Sequence, residues 1–136
     1  MPSNDECRET PQAVFDELDA EFGFTLDPCS TDANAKCPRH YTRKDDGLSK
    51  DWSGERVFMN PPYGREIGSW VEKAATSDAL VVGLLPARTD TRWFHDWVYG
   101  RAELRFVRGR LKFERGGAPG MSAPFPSMAA IWRCEQ

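Results

Sequence analysis

Apolar side chains near the start of the chain recur three and four positions apart. Val14, Phe15, Leu18 and Phe22 therefore share one helical face. Thr10-Pro11 offers an N-cap and a first helical residue, and Gly23 a C-terminal stop, so the spacing predicts a helix over 11–22 after a loose tail over 1–9. Phe24-Thr25-Leu26-Asp27 reads as a short strand ended by Pro28. Residues 28–54 are polar and punctuated; a stretch that long points to a functional loop or short hidden elements. Arg56-Val57-Phe58-Met59 reads as a second strand. It runs into Asn60-Pro61-Pro62-Tyr63-Gly64, where two prolines and a glycine forbid helix and ladder alike. Ile67, Trp70, Val71 and Ala74 space out another helix.

Ala79 to Leu85 is a near-continuous apolar strand, the pattern of a parallel sheet covered on both faces, and Pro86 ends it. Thr89 or Asp90 is placed to cap a helix that carries Trp93, Phe94, Trp97 and Val98 and closes at Gly100. Residues 103–107 and 110–114 read as strands, 115–127 as a Gly/Pro/Ser loop, and Met128 to Trp132 as a last strand. Strands alternating with helices predict right-handed crossovers and a mostly parallel α/β sheet; the strand-only ending predicts an antiparallel C-terminal edge. Residues 10–136 are expected to form one domain. Ligands in such sheets bind beyond the C-terminal ends of the strands, where Asp27 and Asn60 fall.

Composition adds a core and removes some classes of function. Forty per cent of the 136 residues are hydrophobic and five are Trp, enough for a packed interior. No apolar run reaches membrane-spanning length, and MPSNDECRET holds no apolar segment for a secretory signal, so a cytoplasmic setting is expected. The scattered Cys7, Cys29, Cys37 and Cys134 are expected as free thiols. Cys29, Cys37 and His40 match no common zinc spacing, and no metal is expected.

The net charge of −3 hides an asymmetry. Residues 1–100 carry 11 basic and 18 acidic side chains, whereas residues 101–136 carry 7 and 3. Arg101, Arg105, Arg108, Arg110, Lys112 and Arg115 crowd into one short stretch. A basic face on an acidic body can bind phosphates; an ordinary solvated strand pair would look the same by composition.

The chemistry is concentrated in Asn60-Pro61-Pro62-Tyr63. An exocyclic amine such as adenine N6 is a poor nucleophile because its lone pair is delocalised into the ring. Two acceptors aimed at its N–H groups favour the tetrahedral geometry that attack requires. The Asn60 side-chain oxygen and the Pro61 carbonyl can be those acceptors, on a turn that the prolines hold rigid in advance. Tyr63 offers a ring on which an unstacked base can rest. The competing reading is a plain proline turn after a strand.

With these residues in view, the chain resembles the phage-type DNA N6-adenine methyltransferases. The segments that carry the resemblance are TPQAVFDELDAEFGFTLDPCS, DDGLSKDW, VFMNPPYG, LLPARTDTRWFH, GRLKF and SAPFPS, from about Thr10 to Trp132. The resemblance implies a compact Rossmann-like class I methyltransferase sheet, S-adenosylmethionine as cofactor, DNA as substrate and the cytoplasm of a bacterial host as setting. It implies a catalytic loop at Asn60, Pro61, Pro62 and Tyr63. It implies cofactor contacts at Thr10-Pro11, at Asp27-Pro28-Cys29, at Asp45 or Asp46, and at Asn60. Arg110, Lys112 and Phe113 fall in its GRLKF segment. Strand alternation puts Arg110 and Lys112 on one face, expected with Arg105 and Arg108 to meet DNA, and Phe113 on the other, in the core or against the base. Arg88 is open to a phosphate, a carboxylate or a plain surface role. The glycine-rich loop 115–127 is a candidate to close over DNA. DPCSTDANAK lacks the Gly-rich turn usual in the wider class, which keeps a non-catalytic DNA-binding module in play. The same loop chemistry also suits an RNA or protein amide nitrogen. A homo-oligomer is a further option.

Overall fold

A computed structural model describes residues 8–133. Helix α1 spans Gln12–Phe22, buries Phe15 and Phe22, and stops at Gly23, whose φ of 63° is left-handed and whose N–H donates to the Asp19 carbonyl. Pro11 occupies the N-cap, one residue later than the sequence suggests, and no side chain caps the helix. The Thr10 hydroxyl is engaged elsewhere, as described below. Strand β1 (Arg56–Met59) leads through the proline turn to α2 (Ile67–Thr76), which buries the four residues of its expected face, and then to β2 (Leu80–Pro86). A π-helical segment, Phe94–Val98, follows. Its start is held by Thr91, whose hydroxyl accepts the Phe94 N–H at 3.3 Å; neither Thr89 nor Asp90 takes that role.

The remaining strands are β3 (Glu103–Phe106), β4 (Lys112–Arg115), β5 (Ala118–Ser122) and β6 (Ser127–Trp132). The main sheet runs β1-β2-β6-β3. Only β1 and β2 are parallel; β6 pairs antiparallel with both β2 and β3. This overturns the expected Rossmann-like, mostly parallel sheet: among the described residues the fold is a small mixed sheet of mostly antiparallel strands with two α-helices, a 3₁₀ turn and a π-helical segment. The reason lies in two stretches. Residues 28–54 form no crossover helix, only a 3₁₀ turn at Gly47–Ser49, so a second parallel unit is never built. The last strand then enters between β2 and β3 instead of extending an edge. Single parallel bridges, Leu26 to Val57 and Asp27 to His40, fasten the short extended segments beside β1.

Residues 115–127, expected as loop, hold β5, which forms a separate hairpin with β4. Trp70 and Val71 of α2 pack with Phe94, Val98 and Val81 in the larger core. Phe22 of α1 packs against Val82, Ala129 and Ile131 in a smaller one.

Candidate active site

Asn60 begins where β1 ends, beside a buried Pro61. Its Nδ2 donates to the Arg8 carbonyl at 2.6 Å and to the Thr10 hydroxyl at 2.9 Å. A carbonyl can only accept, so the atom facing Arg8 is the amide nitrogen and the oxygen points the other way. That Oδ1 is buried and has no hydrogen-bond partner. An acceptor left in this state costs about 1–3 kcal/mol. The turn thus holds an oriented acceptor ready for a donor that the described residues do not supply.

Asn60 opens into a cavity of about 480 Å³. The walls bring together Thr10, Asp27, Pro28, Cys29, Asp46, Asn60 and Pro62, residues drawn from across the first half of the chain. Pro11, Asp45, Pro61 and Tyr63 are not among the lining residues.

Asp27 is only 4% exposed. Its carboxylate accepts the Lys36 N–H at 2.9 Å and, more weakly, the Cys29 N–H at 3.4 Å. Burial raises its pKa above the ordinary carboxylate value, and the two N–H groups counter this only in part. The cavity wall therefore carries a nearly dehydrated acid that a cationic ligand would stabilise.

The neighbouring aspartates divide their tasks. Asp45 is exposed and folds back on its own turn, accepting from the Thr42 N–H and hydroxyl, which lowers its pKa. Asp46 lines the cavity with φ of 58°, the one left-handed non-glycine residue among those described. Holding a side chain there costs of order 1 kcal/mol and is offset by the surrounding contacts. The next residue explains how it is held. A Cβ on Gly47 would sit 2.1 Å from the Pro28 carbonyl oxygen, so only glycine lets the two backbones touch. Trp52 Nε1 donates to the Gly47 carbonyl at 3.0 Å and locks the junction. Sequence reasoning gave Gly47 no role of its own within the acidic segment, and passed over Phe58, Glu66 and Trp70 as parts of the same walls. A glycine one residue after a paired acid was the available signal.

Tyr63 is buried and its hydroxyl donates to the Leu84 carbonyl at 2.7 Å. Its ring meets Phe113 at 6.1 Å and Phe125 at 5.6 Å, both edge-on. Burial raises the phenol pKa. In this conformation the ring is a core element and presents no open face to a base.

The basic positions separate in the same way. Arg105 forks onto Glu21 at 2.6 and 2.8 Å and onto Glu103 at 2.8 Å, so its charge is already matched. Arg108, Arg110 and Lys112 are exposed, while Leu111 and Phe113 are buried, the alternation expected of a strand. The hairpin is moored to the site from its other side. The Glu114 N–H donates to the Glu9 carbonyl at 2.9 Å, and the Glu9 carboxylate accepts the Gly116 N–H at 2.7 Å. Arg8 and Glu9, expected in a loose tail, thus bridge the hairpin to the Asn60 turn.

Among the described residues, no group of three or more His, Cys, Asp or Glu side chains could hold a metal. His40 binds Asp32 at 2.8 Å and the Pro38 carbonyl at 3.0 Å. Cys37 is buried, with a free thiol whose pKa is pushed up to about 12, and Cys7 and Cys134 lie outside the described residues. No helix among the described residues is long and apolar enough to cross a membrane.

One family model matches the sequence over nearly its whole length. The family model described as DNA N-6-adenine-methyltransferase (Dam) matches residues 2–135. A DNA N-6-adenine-methyltransferase of Haemophilus phage HP1 is 32% identical over 111 residues, covering 76% of this chain and 64% of that protein. The putative methyltransferase YfdM of Escherichia coli is 42% identical over 62 residues, covering 40% of this chain and 67% of that protein. The chain thus spans about two thirds of the length of these relatives. On the strength of the nearly full-length match, the chain belongs to the DNA N-6-adenine-methyltransferase family.

Proposed function

We propose that this chain transfers a methyl group from S-adenosylmethionine to the N6 amino group of adenine in DNA. The observation that carries the reading is the buried, unpartnered Oδ1 of Asn60 at the wall of a cavity that also contains the buried carboxylate of Asp27. Family membership supports both cofactor and substrate.

The donor set fits the cofactor. Asp27 is an acid that would hold its ammonium group, with the backbone of Pro28 and Cys29 beside it. Asp46 would accept from its ribose hydroxyls or adenine, while Phe58 and Trp70 offer aromatic surface. Thr10, fixed next to Pro11 at the start of α1, closes the wall beside Asn60. When bound, S-adenosylmethionine supplies a methyl group already activated by its sulfonium.

The protein's own work is then to receive an extruded adenine and prepare its amine. Asn60 Oδ1 accepts a hydrogen bond from one N6–H, and the carbonyl of the buried Pro61 accepts one from the other. Together they draw the nitrogen toward tetrahedral geometry and concentrate its lone pair. Because Nδ2 is held by Arg8 and Thr10, Asn60 needs no rearrangement to do this, which is the essence of preorganised electrostatic catalysis. Pro62 continues the rigid turn. Tyr63 supports it from below by anchoring to β2; stacking on a base requires Phe113 and Phe125 to part first. Lys112, Arg110 and Arg108 supply phosphate contacts, in the cytoplasm of a bacterial host.

The test is methyl transfer from labelled S-adenosylmethionine to unmethylated duplex DNA, wild type beside Asn60→Ala, with nucleoside analysis of the product. N6-methyladenine lost in the variant supports the reading. Measurable cofactor binding without label in DNA sinks it in favour of an RNA or protein acceptor. Absence of both leaves a non-catalytic DNA-binding module.

A further inference from the structure

Two guanidinium groups converge on one aromatic ring beside the Asn60 turn. Arg8 Cζ lies 5.2 Å from the centroid of Phe125 and 5.8 Å from that of Phe113. Arg88 Cζ lies 5.5 Å from the same Phe125 ring. The Phe125 ring in turn lies 5.6 Å from the Tyr63 ring, which places this cluster beside the turn. Among the described residues neither arginine forms an ion pair, in contrast to Arg39, Arg105 and Arg133. Arg8 Nε is also buried without a hydrogen-bond partner. A guanidinium with one nitrogen cut off from water, and with no ion pair among the described residues, keeps the capacity to bind an anion.

We propose that Arg8 and Arg88 form a clamp for a phosphodiester group of the nucleotide whose adenine enters beside Asn60; the inference rests on the methyltransferase reading. The planar fork of a guanidinium matches two phosphate oxygens, and the Phe125 ring backs both forks by cation–π contact. The arrangement has the layout of a nucleotide. An amine acceptor, Asn60 Oδ1, and a cation, Arg8, share one cavity, and the Asn60 amide fixes the Arg8 backbone at 2.6 Å. Arg88 completes the clamp from the end of β2, where it is exposed to an incoming strand.

The same chemistry would suit the carboxylate of the cofactor's methionine, and two readouts separate the sources. Arg8→Gln, Arg88→Gln and the double variant are titrated with a labelled duplex at several salt concentrations and with S-adenosylmethionine by calorimetry. Each single change is expected to lower the salt slope of DNA binding by about one and the affinity on the order of tenfold, with cofactor affinity unchanged. Arg88→Lys retains the slope. Unchanged slopes overturn the proposal, as does a loss of cofactor affinity with DNA binding intact, which would reassign the clamp to the carboxylate. Should Arg8→Gln fail to fold, the exposed Arg88 decides alone. Wild-type protein that methylates DNA while the variants keep its slope refutes only the clamp; wild-type protein that neither binds nor methylates DNA refutes the function beneath it.

Discussion

The Thr10 hydroxyl sits 2.9 Å from Asn60 Nδ2, so a residue at the start of the first helix aims the amide of the Asn60 turn fifty positions later. The Arg8 carbonyl shares that task, and the two together leave Oδ1 facing the cavity.

Thr10→Val keeps the shape and removes that acceptor. Folding stability is expected to fall by about 1 kcal/mol. Turnover is expected to fall on the order of tenfold as Asn60 loses its fixed orientation, with cofactor affinity nearly unchanged. Thr10→Ser restores the rate. Single-turnover kinetics and cofactor titration check this, and a rate unchanged in Thr10→Val would count against aiming by Thr10.

Asp27→Asn separates stability from binding. Burial raises the Asp27 pKa, so the folded chain binds more protons there than the unfolded chain. The contribution of Asp27 to stability therefore falls as pH rises from the ordinary carboxylate value through the raised one. In Asp27→Asn that part of the decline disappears, so stability is expected to vary less with pH across this range. The variant's cofactor affinity is expected to drop by roughly 10- to 100-fold, the worth of about 1.5–3 kcal/mol for a charged hydrogen bond. Chemical denaturation across pH and calorimetry measure the two effects.

Gly47→Ala drives a methyl group into the Pro28 carbonyl, 2.1 Å away. Overpacking against backbone is expected to cost about 3 kcal/mol and to lower the thermal midpoint by roughly 10 °C. Gly54→Ala is a poor control because its φ of 76° adds strain; Gly68→Ala, with its nearest neighbour at 3.8 Å, is the better one. Equal midpoints for Gly47→Ala and Gly68→Ala would exclude the close approach.

Asp46→Asn is expected to weaken cofactor binding several-fold, and Asp45→Asn to leave it near wild type while loosening the 42–45 turn. The contrast follows from Asp46 lining the cavity and Asp45 binding Thr42. A larger binding loss at Asp45 would reverse the assignment.

Local elements were readable where a single period governed them. Val14, Phe15, Leu18 and Phe22 marked α1 because burial on one helical face imposes that spacing, and Ile67, Trp70, Val71 and Ala74 marked α2 for the same reason. Strand partnership was not readable. Met128 to Trp132 is apolar throughout, a pattern shared by a parallel core strand and by an antiparallel one sandwiched between neighbours, and only the fold decides. The β5 hairpin escaped because Ala118-Pro119-Gly120-Met121-Ser122 has neither β-branched residues nor alternation. At the site, the strand-end positions of Asp27 and Asn60 pointed to a shared ligand edge, whereas Asp46 came from the family resemblance alone, undivided from Asp45. The aiming of Asn60 by Arg8 and Thr10 depends on two contacts across fifty residues, which no local pattern encodes.

The insertion of β6 between β2 and β3 has a consequence for biosynthesis. As the chain leaves the ribosome, β1, α2 and β2 can associate early, yet one edge of β2 from Val81 to Pro86 has no partner until Ser127–Trp132 emerges. Glu103–Phe106 waits for the same segment. The nascent protein therefore displays an apolar, unpaired strand through much of its synthesis, a state that invites chaperone binding and aggregation. Completion of the sheet is a late, long-range event, and folding of this enzyme family member is expected to be slow relative to its size.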